Sequence, residues 1–240
     1  MQQKPSYIES ARIEGAHIRF VWDEWNVRAT YEPVDEALVE RLMKLSKRAN
    51  CAFTIAIAEW IVYRFQPFDR DPEPLQYLEA AWAANVDLAY ADEMDIVDEE
   101  WGGPVRGPMS MAISFVVDAL FAEEADPNAP FNPAWAARFA RHVLPDAVIF
   151  DQWFDQCLLR LEQLFPMQTE EELDWFDRLK NGGQLVPREV FDPGFDFKHE
   201  MTGFLINQFL SQLRPGSNPF LRSADEMRQI GFDRTPYIAS

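Results

Sequence analysis

Residues 51–65 read CAFTIAIAEWIVYRF, which is apolar on almost every side when drawn as a helix. The segment carries only two charged side chains, Glu59 and Arg64. A helix that is apolar all round is typical of the centre of a helical protein, because every face must be covered by other elements. The segment therefore predicts a central buried helix.

Segments on either side of this helix keep the three- and four-residue spacing of amphipathic helices. Two of the apolar stripes are Val34, Leu38, Leu42 and Leu45, and Ile149, Trp153, Cys157, Leu161 and Leu164. The whole chain predicts a mainly α protein, a compact single-domain bundle of about eight or nine helices over residues 1–240. A weak domain boundary near residues 125–133, where three prolines lie, is the alternative.

Three local patterns refine this expectation. Residues 17–22 and 27–31 are rich in β-branched and aromatic residues and flank a polar turn, which predicts a small N-terminal β-hairpin. Residues 101–108 read WGGPVRGP, which predicts a loop with a helix opening at Pro108. Ser223 and Glu226 have the spacing of a capping box, which predicts a short last helix.

The charge of the chain excludes several classes of partner. The formal net charge is −18, from 22 basic and 40 acidic residues. Nucleic acids and anionic membranes are bound by basic surfaces, so neither is an expected partner. No uncharged stretch approaches the roughly 20 residues of a membrane-spanning helix, and the N-terminus lacks the apolar core of a secretory signal. We expect a cytoplasmic protein.

The acidic excess is concentrated in one quarter of the chain. Residues 71–130 hold 14 acidic and 1 basic residue, a net charge of −13. Like charges at helical spacing are unfavourable to local stability, so local stability does not explain the cluster. The residues predicted to bind a partner are Asp87, Asp92, Glu93, Asp95, Asp98, Glu99, Glu100 and Trp101.

Three interpretations of this acidic run remain open. It is a solvated face, which is what charge runs usually are. It is a docking surface for a basic protein, with Trp101 as the aromatic anchor that interface hot spots favour. Or it binds a divalent metal through carboxylates, although the spacing and the central glycine of an EF-hand calcium loop are missing.

The sequence contains no motif that names a reaction. His17, His142 and His199 are far apart and form no zinc or catalytic pattern. Cys51 and Cys157 have no CxxC partner and read as small buried hydrophobes. No phosphate-binding or dinucleotide fingerprint is present, so no cofactor is expected.

Glu59 and Asp118 are isolated acids in apolar helical segments. A buried carboxylate needs a partner or a raised pKa. The two form an acid/base pair, or each is matched by a buried arginine or tyrosine, which is the more common situation. The first possibility keeps an α-helical hydrolase or metal-dependent enzyme as the alternative function.

The leading hypothesis is an acidic binding protein without catalysis. Its concrete form is an immunity protein or antitoxin of bacterial type that occludes a basic toxin, such as a nuclease whose own site must hold phosphate. The sequence leaves open the oligomeric state, and whether the phenylalanine-rich loop 191–197 is a second contact.

Overall fold

The computed structural model describes residues 3–92, 101–121, 130–168 and 182–239. Within these ranges the chain forms nine α-helices joined by loops and 3-10 turns, without a β-strand. The helices are α1 (Ser6–Ala11), α2 (Glu36–Leu42), α3 (Lys47–Phe65), α4 (Glu73–Val86), α5 (Gly103–Phe121), α6 (Phe131–Val143), α7 (Val148–Leu164), α8 (Thr202–Gln212) and α9 (Ala224–Gln229). The mainly α fold class is confirmed. No helix of the described ranges combines the length and apolar content needed to cross a bilayer.

Helix α3 is the centre of the fold. Every residue from Ala49 to Phe65 is buried, and the helix packs against α4, α5 and α6. At its start the Ser46 hydroxyl oxygen accepts a hydrogen bond from the Ala49 N–H, 3.2 Å away. Because no face of α3 is left for water, it is the core element that residues 51–65 predict.

Small side chains on α4 and α6 and aromatic rings on α7 complete the core around α3. Buried alanines on α4 and α6 let those backbones approach closely; they are Ala80, Ala81, Ala83, Ala84, Ala134, Ala136, Ala137 and Ala140. On the α7 side, Phe53 stacks on Phe154 with 4.8 Å between ring centroids, and Trp60 meets Phe150 edge-on at 5.5 Å. The core is therefore continuous from α4 to α7.

The expected N-terminal hairpin is wrong. Residues 17–22 follow an irregular path, and Val27–Thr30 is a 3-10 turn. Phe20 meets the Phe65 ring edge-on, and Trp22 meets the Phe139 ring in the same way. The alternating aromatic pattern arises because this segment lays its large side chains on α3 and α6. The alternation of large side chains resembles that of a β-strand, but no strand of the described residues pairs with this segment.

The expected loop at 101–108 is also wrong for most of its length. Helix α5 begins at Gly103 and continues through Pro108. The Glu24 carboxylate accepts a hydrogen bond from the Gly103 N–H at 2.6 Å, which satisfies a donor at the helix N-terminus. Trp22 packs directly on Gly107. These tertiary contacts outweigh the helix-breaking tendency of the two glycines and two prolines in residues 103–108.

Gly107→Ala is expected to destabilise the protein by about 1–3 kcal/mol, although alanine is the better helix former. A Cβ at this position lies 2.2 Å from Cζ2 of Trp22, so the ring has to move. Gly203→Ala in α8 is the matched control, because nothing lies within 4 Å of its Cβ. The control should gain about 0.5–1 kcal/mol. Chemical denaturation of both variants measures this, and equal stabilities would contradict the packing of Trp22.

The C-terminal quarter of the chain contributes to the core and contains the short last helix that the sequence predicts. Phe191 stacks on Phe53 with ring centroids 5.9 Å apart, and Phe197 is buried. These two rings of loop 191–197 therefore belong to the core. At α9 the Ser223 hydroxyl oxygen accepts from the Glu226 N–H, and the Glu226 carboxylate accepts from the Ser223 N–H. The predicted capping box is confirmed.

Candidate functional site

The structure covers part of the predicted docking residues. Asp87, Asp92 and Trp101 are described. Glu93, Asp95, Asp98, Glu99 and Glu100 lie outside the described residues. The described members of the predicted docking set therefore lie before and after residues 93–100.

Asp87 and Asp92 connect the end of α4 to the C-terminal segment. Asp87 is buried, caps a 3-10 turn by accepting from the Ala89 N–H at 3.0 Å, and pairs with Arg234. Asp92 pairs with Arg222, yet 64% of its side chain remains exposed. Asp87 therefore has a structural role, whereas the Asp92 carboxylate remains largely exposed to solvent.

Trp101 is buried, with 7% of its surface exposed. Its ring meets Tyr77 edge-on, and the Arg106 guanidinium lies 4.9 Å from the ring centroid. Arg106 also pairs with Asp69 at 2.6 Å and with Asp71. The tryptophan predicted as the aromatic anchor thus offers little surface to a partner.

Glu59 is a buried acid with several hydrogen-bonding partners, and it lies 1% exposed on the central helix. Its Oε1 accepts from the Trp82 indole N–H at 2.9 Å and lies 2.6 Å from an Arg188 guanidinium nitrogen. Its Oε2 accepts from the Tyr7 hydroxyl at 3.2 Å. The expectation that Glu59 is matched by a buried arginine or tyrosine is confirmed, and both are present. The carboxylate joins α3 to α1, α4 and the 3-10 turn at 188–191.

The surroundings of Glu59 shift the ionisation of its partners. Burial, and then the Glu59 charge, raise the pKa of Tyr7 well above its usual value. Burial, with the Glu59 charge second, raises the pKa of Tyr63 to about 12. Burial opposes the charged form of Arg188, but the attraction of Glu59 outweighs it and raises the Arg188 pKa. At neutral pH both tyrosines are therefore neutral and the Arg188 guanidinium is charged.

A cavity of about 400 Å³ lies beside this cluster. Its lining includes Trp82 and Arg188, which also contact Glu59. Its walls come from the N-terminal residues before and within α1, from residues 186–192 and from α8. Glu59 itself is not among the residues that line the cavity. Its carboxylate instead contacts two residues that do, Trp82 and Arg188.

The acid/base pair considered for Glu59 and Asp118 is not formed. Asp118 is exposed on α5, whereas Glu59 is buried on α3 with donors on both carboxylate oxygens. The sequence pattern wrongly predicts that Asp118 is buried. An amphipathic helix can expose only a narrow polar stripe, and Asp118 lies on that stripe. An enzyme built on this pair finds no support in the geometry.

The three histidines are dispersed, and two of them rest against aromatic rings. His142 lies 5.5 Å from the Phe20 ring, and His199 lies 5.3 Å from the Phe165 ring. His17 is exposed. In the ranges that the structure describes, no group of three or more His, Cys, Asp and Glu side chains is placed to hold a metal ion.

Both cysteines are buried, as the sequence predicts, and their thiols are reduced. The Cys51 thiol donates to the Ala119 carbonyl, and the Cys157 thiol to the Phe191 carbonyl. Burial raises the pKa of Cys51 to about 11 and raises the pKa of Cys157 further. Thiolate is therefore scarce at both positions, and neither is suited to nucleophilic chemistry.

This burial predicts that both native thiols react with Ellman's reagent at pH 8 at least about 100-fold more slowly than in the unfolded chain, because only locally opened molecules expose thiolate. Absorbance at 412 nm over hours, with and without guanidinium chloride, measures the ratio. Fast stoichiometric reaction of one native thiol would contradict the packing described here.

Sequence reasoning missed the residues that surround Glu59. Tyr7, Trp82 and Arg188 are separated from it by 52, 23 and 129 positions, and no local pattern links them. It also missed Trp25, whose side chain is 98% exposed. The polar segment 23–26, which contains this tryptophan, predicts only the turn of the hairpin.

Comparison with known proteins gives no family assignment. The chain matches no protein-family model, no curated protein and no solved structure.

Proposed function

We propose that this protein binds a basic protein and neutralises it, in the manner of an immunity protein or antitoxin in a bacterial cytoplasm. The target is a toxin, such as a nuclease, whose active site needs basic residues to hold phosphate. Neutralisation is steric and electrostatic: an acidic surface covers the basic site and excludes its substrate. No catalytic step by this chain is involved.

The observation that carries the proposal is the distribution of charge. Residues 71–130 hold 14 acids and 1 base, whereas residues 1–70 hold 10 of each. Within the first region, the run 92–100 has six acids and no base. A localised negative surface raises the rate of association with a positively charged partner and repels negatively charged proteins.

The fold fixes the residues described on either side of the run. Arg222 pairs with Asp92, and the Glu24 carboxylate accepts a hydrogen bond from the Gly103 N–H at the start of α5. The Asp92 side chain is still 64% exposed, so its carboxylate supports the proposal of an acidic contact surface.

An affinity capture from nuclease-treated lysate of the source organism tests the proposal. The full chain is the bait, and proteins are eluted at about 50 mM and 500 mM salt, because screening shortens the electrostatic range several-fold between them. A matched bait carries Glu93→Gln, Asp95→Asn, Asp98→Asn, Glu99→Gln and Glu100→Gln. We expect one basic protein that is retained by the first bait, released by salt and depleted from the second. Recovery of no basic protein, or equal recovery on both baits, would contradict the proposal.

A further inference from the structure

We propose that the cavity of about 400 Å³ beside the Glu59 cluster binds a small aliphatic polyamine, a chain of ammonium groups joined by methylene linkers. This site is independent of the basic protein partner proposed above. Ligand pockets have volumes of roughly 300–1,000 Å³ and combine apolar walls with a few polar groups. Glu9 and Gln208 in the lining are exposed, so the cavity is reached from solvent.

Both cationic residues of the cavity lining are already neutralised. Lys4 pairs with Glu14 at 2.8 Å, and Arg188 pairs with Glu59 at 2.6 Å. Neither Glu14 nor Glu59 lines the cavity. An anionic ligand would have to compete with these pairs, and separating the buried pair of Arg188 and Glu59 is costly. The positive charges of the lining therefore do not favour an anion.

Three acids of the lining form no ion pair with the residues that the structure describes, namely Glu9, Glu189 and Asp192. The Ser6 hydroxyl donates to the Asp192 carboxylate at 2.7 Å. This bond joins α1, which carries Glu9, to the end of the 3-10 turn at 188–191, which carries Glu189. Unpaired carboxylates on two walls of one cavity favour a positively charged ligand, because charges in a partly enclosed site are screened less than in bulk water.

The spacing of these acids selects the kind of cation. In the described ranges no three His, Cys, Asp or Glu side chains lie close enough together to hold one metal ion. A single ammonium group would likewise leave acids unpaired, whereas a ligand with several spaced charges reaches acids on separate walls. Helix α8 adds the buried Leu205 and Ile206 and the half-buried Phe209 to the lining. These side chains supply apolar surface for methylene linkers.

Isothermal titration calorimetry with spermidine, a triamine, tests the proposal at about 0.15 M salt. We expect saturable binding of one spermidine per chain. The double variant Glu9→Gln, Glu189→Gln, called the cavity variant, should bind at least about tenfold more weakly, because charge-assisted hydrogen bonds are lost. Glu189→Gln alone should weaken binding at least about threefold. The matched control Glu40→Gln, Glu200→Gln removes two exposed acids outside the cavity and should change the affinity less than about twofold.

A second control separates the cavity from the acidic run. The variant with amides at positions 93, 95, 98, 99 and 100 should bind spermidine as the unmodified chain does. If that variant loses binding and the cavity variant does not, spermidine adsorbs to the run and the proposal is overturned. It is also overturned if the unmodified chain shows no saturable binding, or if the cavity variant and its matched control are weakened equally.

Thermal melts show whether the cavity variant is folded. Without spermidine it should melt within about 2 °C of the unmodified chain, because neither substituted acid forms an ion pair in the part of the chain that the structure describes. Spermidine should raise the melting temperature of the unmodified chain by mass action and leave that of the cavity variant nearly unchanged. If the cavity variant is unstable, Glu189→Gln alone decides, and unchanged affinity in that variant would contradict the proposal.

Discussion

Replacing Glu59 by glutamine is expected to lower the free energy of unfolding by about 3–5 kcal/mol. The substitution leaves the Arg188 guanidinium buried without a counter-charge, and it places an amide against the Trp82 and Tyr7 donors. For a chain of this size each kcal/mol lowers the melting temperature by about 2–4 °C, so a loss of about 10 °C is expected. Differential scanning calorimetry and urea denaturation measure both quantities.

Asp118→Asn is the matched control, because it removes an exposed carboxylate from a helix of the same length. Its effect should stay within about 0.5 kcal/mol. The double variant Glu59→Met, Arg188→Met should be more stable than either single variant, because it removes both charges together. If the Glu59→Gln protein has the same melting temperature as the unmodified chain, the ion pair does not stabilise the fold. Catalytic groups are often unfavourable to stability, so such a result would also revive the enzyme alternative.

Removing the charge of the acidic run is expected to slow association with the basic partner by about tenfold or more at low salt, with a smaller effect near physiological salt. The variant changes Glu93, Asp95, Asp98, Glu99 and Glu100 to their amides. It leaves Asp87 and Asp92 intact, since their pairs with Arg234 and Arg222 hold the C-terminal segment. Stopped-flow measurements at several salt concentrations give the association rate constant.

The control for this variant removes the same amount of charge elsewhere. It neutralises exposed acids scattered over other parts of the surface, namely Glu40, Asp155, Asp196, Glu200 and Asp233. Electrostatic steering depends mainly on charges that lie within about one Debye length of the contact. This length is roughly 10 Å at 0.1 M salt. The control should therefore change the rate only about twofold. Equal slowing by both variants would mean that net charge alone, and no particular surface, governs the encounter.

The central helix could be predicted from sequence because its signal is local. Residues 51–65 are apolar on almost all sides, and a helix of this kind is stable only in the interior of the protein. The capping box at Ser223 and Glu226 could be predicted for the same reason, since both partners lie within one turn. In these segments local preference and tertiary structure agree.

The errors occur where distant contacts decide the structure. Residues 17–22 alternate like a strand, but the rings of Phe20 and Trp22 are placed by α3 and α6. Residues 103–108 contain helix breakers, yet Glu24 supports the helix start from 79 positions away. Propensity is a weak guide when such contacts oppose it.

The candidate site was predictable only in part. Composition located the acidic run, and the isolated acid in residues 51–65 marked Glu59 as a residue that needs a partner. Arg188 could not be identified as that partner, because a loop arginine far along the chain carries no signal for it. Exposure of Trp25 and burial of Trp101 are likewise set by tertiary packing, since both follow acidic residues in the sequence.

The most direct measurement is a titration of the captured basic protein's own activity with this chain. If that protein degrades nucleic acid, its nuclease rate is followed as increasing amounts of the acidic protein are added; if it acts otherwise, growth of a host that expresses it alone and with this chain is compared. We expect loss of activity that is complete at a fixed stoichiometric ratio, and restored growth on co-expression. A partner that stays fully active in the saturated complex, or that is harmless alone, would contradict neutralisation.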